Sequence, residues 1–282
     1  MRGSTIVGKI TKSYLIFVQG TAAKVARPPA RCRNVRPNLH RLRGFLPLSL
    51  RLALQEHSPG RARRWREMPG IERVPPGGHA VLTFDDGPDA APEATAAVLD
   101  QLDAIGAKAT FFVLGEQIEA APGLVAELVG RGHELGVHGR RHFRHDRVGA
   151  EESAADVEAG CDALAGCLGE APRYYRPPYG KLSPAAAEAC RRRGLEVVYW
   201  STWGLDWEPL PADRVAARVV RDLDDGGIVL LHDSARYAAR PTAAPTVGAL
   251  EEIGAAATAK GLRLVTLSEA RRAAGRLSGA RR

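Results

Sequence analysis

From about residue 79 onward, short apolar runs alternate with stretches that carry helical patterning. The runs at 80–84, 109–114, 134–137, 173–175, 196–200, 227–231 and 263–267 read as strands, and the stretches at 92–105, 121–131, 151–168, 184–193, 212–223 and 245–260 as helices. Several boundaries are plain. Ser183-Pro184 is an N-cap followed by proline at the first helical position. Gly106, Gly132, Gly194 and Gly261 each fall just past a helix, where a left-handed residue is wanted. Strands separated by single helices pair in parallel through right-handed crossovers. Seven of them fit either an open doubly wound sheet or an incomplete β/α barrel, and both folds place active sites at C-terminal strand ends.

Residues 1–70 break the pattern. They are rich in Arg, Pro and Gly without a sustained period, and only 46–54 could make a short amphipathic piece. This basic N-terminal segment is expected to be disordered, with the folded domain over 71–282. It holds 15 Lys and Arg against two acids, Glu56 and Glu67, a net of +13. The whole chain has 40 basic and 32 acidic residues, so the remainder has 25 against 30, a net of −5. The high isoelectric point belongs to the leader, and the main body loses any nucleic-acid-binding reading. The leader suits an anionic-surface tether; a wrongly chosen translation start is another reading of it.

Hydrophobic residues make up 45% of the chain, enough for a sizeable core. The four cysteines, Cys32, Cys161, Cys167 and Cys190, show no CxxC spacing, so buried or idle thiols are expected rather than disulfides or a thiolate metal site. No run of 18 apolar residues occurs. The only candidate signal core, Tyr14 to Val18, is interrupted by Gln19-Gly20 and makes a poor signal peptide.

Polar residues gather at the strand ends. The first strand runs into Asp85-Asp86 and Gly87-Pro88; the third ends at His138, with His142 four residues on. The fourth leads into Arg176-Pro177-Pro178-Tyr179-Gly180, the fifth into Trp203 and Asp206-Trp207, and the sixth into His232-Asp233. Alone, Asp-Asp-Gly-Pro is a turn. Two adjacent carboxylates nevertheless disfavour each other's ionisation when buried, and a cation or a proton-transfer role gives them a reason to be there. His138-x-x-x-His142 puts two imidazoles on one face of a helical turn, with Asp86 as third ligand and His145 and Asp146 as competitors. Two His and a carboxylate leave a coordination position open, as in catalytic zinc or non-haem iron sites. Asp206 is placed to fix the tautomer of His232, and Asp85 is a natural partner for the Arg176 guanidinium. Trp203 and Trp207 suit either the core or a wall for a sugar ring or acyl group.

These motifs, in this order, resemble the polysaccharide deacetylases, the carbohydrate esterase family of nodulation-factor, chitin, xylan and peptidoglycan deacetylases. The resemblance covers roughly 79–270 and rests on Thr83 to Pro88, His138 to His142, Arg176 to Tyr179, Asp206-Trp207 and Leu230 to His232. It implies a deformed, incomplete (β/α) barrel of about seven parallel strands, with 71–282 as the catalytic domain. It also implies one divalent metal, zinc first and cobalt or another divalent ion next, on Asp86, His138 and His142. By the same resemblance Asp85 is the general base, His232 the general acid, Arg176 orients Asp85, and Asp206 tunes His232. The Tyr179 N–H helps hold an oxyanion, while Trp207 and Leu230 line the acetyl pocket. The expected substrate is an acetylated glycan and the expected state a monomer. Family analogy puts the work at the cell surface or outside, whereas the poor signal peptide keeps the cytoplasm open.

Two positions depart from the family pattern. Gly139 stands where Ser or Thr is usual, which removes a hydroxyl that could brace the metal loop. Trp203 stands where the fourth motif usually begins with Asp, which alters the groove wall. Two other readings stand beside N-deacetylation: a deacylase of another small amide such as a ureide or a lipid-linked formamido sugar, and a carbohydrate-binding pseudoenzyme. The second would need a broken metal or acid–base set, and none is broken here. An aspartyl phosphatase fits less well, because its carboxylates are commonly spaced Asp-x-Asp.

Overall fold

The computed structural model describes residues 69–279. The basic segment expected over 1–70 lies outside them except for its last two residues. Eight short strands are formed: β1 His79–Asp85, β2 Ala109–Val113, β3 Glu134–Val137, β4 Tyr174–Tyr175, β5 Glu196–Val197, β6 Thr202–Trp203, β7 Ile228–His232 and β8 Arg263–Leu264. The helices are α1 Thr95–Ala104, α2 Gly115–Ala120, α3 Pro122–Gly130, α4 Ala150–Leu168, α5 Pro184–Arg192, α6 Ala212–Asp222, α7 Ala244–Ala259 and α8 Leu267–Gly279. All strand pairs are parallel, in the order β5-β4-β3-β2-β1-β7-β6, with β8 on the first residues of β1. The run read as strand at 196–200 is strand only at its start, β5, and the chain pairs again just past it, as β6. The first of these pairs with β4 and the second with β7, so a single segment takes both edges of the sheet. The sheet therefore curls into the incomplete α/β barrel expected from the motifs, and the doubly wound alternative falls.

The alternation along β1 decides which side chains reach the interior. Ala80, Leu82 and Phe84 face outward and join the core beneath the helices, with Val98, Leu99 and Leu102 of α1 and Leu250 and Ile253 of α7. Phe84 stacks on Phe111 at 4.9 Å. Each of the buried Val, Leu, Ile and Phe side chains contributes about 1.5–3 kcal/mol by leaving water. Val81 faces inward and packs with Phe112, Tyr174, Trp200, Ile228 and Leu230. Because successive strand residues alternate faces, Thr83 and Asp85 follow Val81 inward. The interior is apolar at its base and polar at the C-terminal mouth.

Ser183 caps α5 as expected, accepting the Ala186 N–H at 3.1 Å. Cys161 and Cys190 are buried free thiols and Cys167 is an exposed one. Burial pushes the Cys190 thiol up to about 12. Among the described residues no helix is long and apolar enough to cross a membrane.

Candidate active site

Asp85 closes β1 with its side chain turned into the barrel, where it meets Arg176. The guanidinium is fully buried. Nη1 donates to Thr83 Oγ1 at 2.7 Å and to Asp85 Oδ1 at 2.8 Å, and Nη2 donates to the Tyr199 carbonyl at 2.7 Å. Its cation lies 4.1 Å above the Phe112 ring. Burial pulls the Arg176 pKa below its ordinary value, and the Asp85 carboxylate opposes that shift. Arg176 thus holds one Asp85 oxygen; the other, Oδ2, faces His138 Nε2 at 3.8 Å.

The next residue, Asp86, takes a left-handed φ of 82°, which costs a non-glycine residue of order 1–3 kcal/mol. The turn aims its carboxylate at both imidazoles. Oδ1 lies 3.4 Å from His138 Nε2 and 3.2 Å from His142 Nε2. These three residues offer ligand atoms that all lie within 4.8 Å of one another. His138 is fixed from behind, since its Nδ1 meets the Arg176 carbonyl at 2.7 Å. In the neutral ring the proton then sits on Nδ1, and the Nε2 lone pair points at Asp86. Buried Asp86 Oδ1 has no hydrogen-bond donor in good geometry. Burial works to raise the Asp86 pKa, but the two imidazoles outweigh it and hold the carboxyl well below the usual range. Burial keeps His142 neutral, its pKa pulled down to about 4. Lone pairs of two imidazoles and a carboxylate converging on one buried point fit a divalent cation.

The histidine pair does not reach this point as expected. His138 and His142 lie on an irregular loop rather than one helical face, and the loop turns at Gly139 with φ 97°. His145 and Asp146 do not compete as ligands. His145 faces away to Asp156 and Tyr175, and Asp146 pairs with Arg144.

His232 ends β7, directly opposite Asp85 in the β1–β7 ladder. Its Nδ1 meets Asp206 Oδ1 at 2.8 Å, and its own amide donates to Asp206 Oδ2 at 2.8 Å. Burial disfavours the imidazolium, yet Asp206 overcomes this and raises the pKa to about 9. Asp206 is held in turn. Thr246 Oγ1 donates to its Oδ2 at 2.7 Å, Arg240 Nη1 donates to Thr246 Oγ1 at 2.7 Å, and Arg240 Nη2 lies 3.5 Å from Asp206 Oδ2.

Aromatic rings surround these groups. Tyr179, itself at a left-handed φ of 59°, lies 4.5 Å from the His142 ring, and Tyr237 stacks on that ring at 4.2 Å. The Tyr237 hydroxyl donates to Glu116 Oε1 at 2.5 Å. Trp207 sets its ring edge-on to His232 at 5.5 Å and to Trp203 at 5.6 Å. Leu230 lies buried on the interior face two residues before His232.

Residues 72–198 match the family model described as polysaccharide deacetylase. Two peptidoglycan-N-acetylglucosamine deacetylases of Bacillus cereus are each 33% identical to this chain. One aligns over 72% of this chain and 90% of its own length, the other over 66% of each. The solved structure of peptidoglycan deacetylase PdaC from Bacillus subtilis superimposes with a TM-score of 0.63 at 27% identity, covering 72% of this chain and 95% of that one.

The chain belongs to the polysaccharide deacetylase family. Polysaccharide deacetylases are hydrolases of non-peptide carbon–nitrogen bonds, and this chain is an enzyme of that class. Against that background, the residues that sequence reasoning missed are the supports. Arg240, Thr246, Glu116 and Tyr237 lie in no motif. Asp233 follows His232 and fills the space beside Gly87, where a Cβ would stand 2.1 Å from Asp233 Oδ2. That oxygen accepts the Thr95 hydroxyl at 2.6 Å, Thr95 Oγ1 accepts the Asp89 amide at 2.8 Å, and Ser234 Oγ donates to Asp89 at 2.6 Å. Burial raises the Asp233 pKa to about 7. A polar residue next to a candidate acid was the one available signal for Asp233; the others depend on loops folding back.

Proposed function

We propose that this enzyme removes N-acetyl groups from an amino-sugar polymer or oligomer, with peptidoglycan and chitin-type glycans as the substrate class. The observation that carries the reading is the convergence of Asp86, His138 and His142 on one point, with Asp85 and His232 paired beside it at the ends of β1 and β7. Asp86, His138 and His142 would hold a divalent ion, zinc by the nitrogen-rich donor set. Such an ion, when bound, supplies a Lewis acid that polarises an amide carbonyl and acidifies water.

The chain's own groups carry the proton traffic. Asp85 Oδ2, with Oδ1 held by Arg176, accepts a proton from water as it attacks the acetyl carbon. The Tyr179 N–H, set by the turn at Pro177-Pro178, donates to the developing oxyanion. His232, protonated at neutral pH because of Asp206, gives its Nε2 proton to the leaving sugar nitrogen. Trp207 and Leu230 border the space for the acetyl methyl. The products are acetate and a free amine.

A panel tests the reading. Purified protein with added zinc is incubated with chitooligosaccharides, peptidoglycan fragments, a formamido sugar and a ureide. Acetate released from the glycans, with neither formate nor ammonia from the others, supports it; formate or ammonia as the main product rejects it.

A further inference from the structure

The loop that carries both imidazoles is held by buried polar groups behind it. Asp156 of α4 accepts the Arg141 N–H through Oδ1 at 2.9 Å, and its backbone carbonyl accepts the Arg140 N–H at 3.1 Å. Two successive amides of the loop thus end on one residue, directly before His142. The second carboxylate oxygen, Oδ2, meets His145 Nε2 at 3.1 Å, and His145 Nδ1 meets the Tyr175 hydroxyl at 3.1 Å. Asp156, His145 and Tyr175 are all buried. One proton arrangement satisfies all of them: the Tyr175 O–H donates to Nδ1, the Nε2–H donates to Asp156, and ionised Asp156 accepts at both oxygens. Burial raises the Tyr175 pKa well above the ordinary phenol value, which keeps its hydroxyl a donor.

Gly139 fits the same arrangement. A Cβ there would lie 2.4 Å from Asp156 Oδ2. The volume that a hydroxyl side chain would need at position 139 is taken by the Asp156 carboxylate. The group that braces the loop comes from the neighbouring helix. It is anchored on β4, whose next residue, Arg176, holds His138 through its carbonyl. One strand therefore steadies both imidazoles, His138 directly and His142 through three side chains.

We infer that Asp156, His145 and Tyr175 are positioning residues that set the geometry of the His138–His142 loop for its ion. This rests on reading Asp86, His138 and His142 as metal ligands. A fully satisfied buried polar chain rigidifies what it holds, and loss of outer partners of metal ligands weakens metal binding about 10–100-fold.

The test uses the full chain in four forms: wild type, Asp156→Asn, Tyr175→Phe and His142→Ala. Zinc affinity is measured by competition with a chromophoric chelator, coordination by the visible spectrum of the cobalt(II) form, and folding by the Tm of the metal-free protein. Tyr175→Phe removes one oxygen and keeps the ring, so it serves if Asp156→Asn does not fold. The expected result is zinc binding weaker by about 10–100-fold in the folded variants, with a changed cobalt spectrum. Wild-type affinity and spectrum in those variants, with only Tm lowered, would mean that the three groups merely pack α4 on the sheet, and overturns the inference. His142→Ala separates the two readings. Zinc bound by wild type, lost in His142→Ala and unchanged in Tyr175→Phe overturns this inference alone; wild type that takes up no zinc overturns the metal-site reading with it.

Discussion

Asp85 and His232 are direct register partners in the ladder between β1 and β7. Adjacent strands lie about 4.8 Å apart, and partners in a parallel pair project to the same face. The proposed base and acid are thus set side by side by backbone hydrogen bonds, with Asp86 and the two imidazoles at the same mouth. Each then has its own partner, Arg176 for Asp85 and Asp206 for His232.

Asp85→Asn keeps an oxygen for Arg176 but cannot take a proton. Turnover is expected to fall about 10²–10⁴-fold, with zinc affinity within a few-fold of wild type. Acetate release and calorimetric titration of the metal-free protein check the two halves. Loss of both together would reassign Asp85 as a ligand.

His232 gives a pH dependence. With its pKa raised to about 9 in the metal-free protein, it is charged at neutral pH and loses its proton on the alkaline side. The carboxylates of Asp86 and Asp85 contribute to that rise, so a cation on Asp86 opposes it. Proton NMR should place the His232 titration near 9 without metal and lower with zinc, and the alkaline limb of kcat should follow the lower value. The stability linkage has the matching sign. A folded pKa above the ordinary 6.5 gives stability that is fully present below about 6.5 and lost as pH rises through about 9. Chemical denaturation of the metal-free protein across this window should show the loss, and His232→Gln should flatten it.

Asp206→Asn removes the charge that offsets burial of His232. The His232 titration should fall below its wild-type position, and the alkaline limb of activity should move to lower pH. Zinc affinity should be unchanged. A limb that stays in place would mean that another group supplies the proton.

Gly87→Ala drives a methyl into Asp233 Oδ2. Overpacking of this kind costs about 1–3 kcal/mol, and activity should fall because Asp86 is the preceding residue. Adding Asp233→Gly removes the overlapping carboxylate, so the double variant should recover Tm relative to Gly87→Ala. Additive losses in thermal denaturation would show that the two positions do not touch.

Much of this arrangement was legible in the chain because it lies on β1 and its neighbours. The run Ala80 to Phe84 announces a buried strand, and the charged pair that follows has no apolar reason to be there. The parallel fold then brings the other strand ends to the same mouth. Other features were not legible, for identifiable reasons. The His138–His142 spacing suits a helical turn, but Gly139 at positive φ makes a loop that reaches the same point. The six-residue helix α2 is too short to show a period, and α8 begins at Leu267 inside an apolar run that reads as strand. The brace of His145 on Asp156 and that of Arg240 and Thr246 on Asp206 join residues 11 to 40 positions apart through loops. Local pattern carries no record of such contacts.

The most direct measurement is acetate release from an N-acetylglucosamine oligomer by chelator-treated protein, before and after one equivalent of zinc, beside a His138→Ala variant handled identically. Acetate should appear only in the zinc-restored wild type. Equal release from the chelated protein and from His138→Ala would contradict a metal-dependent deacetylase centred on Asp86, His138 and His142.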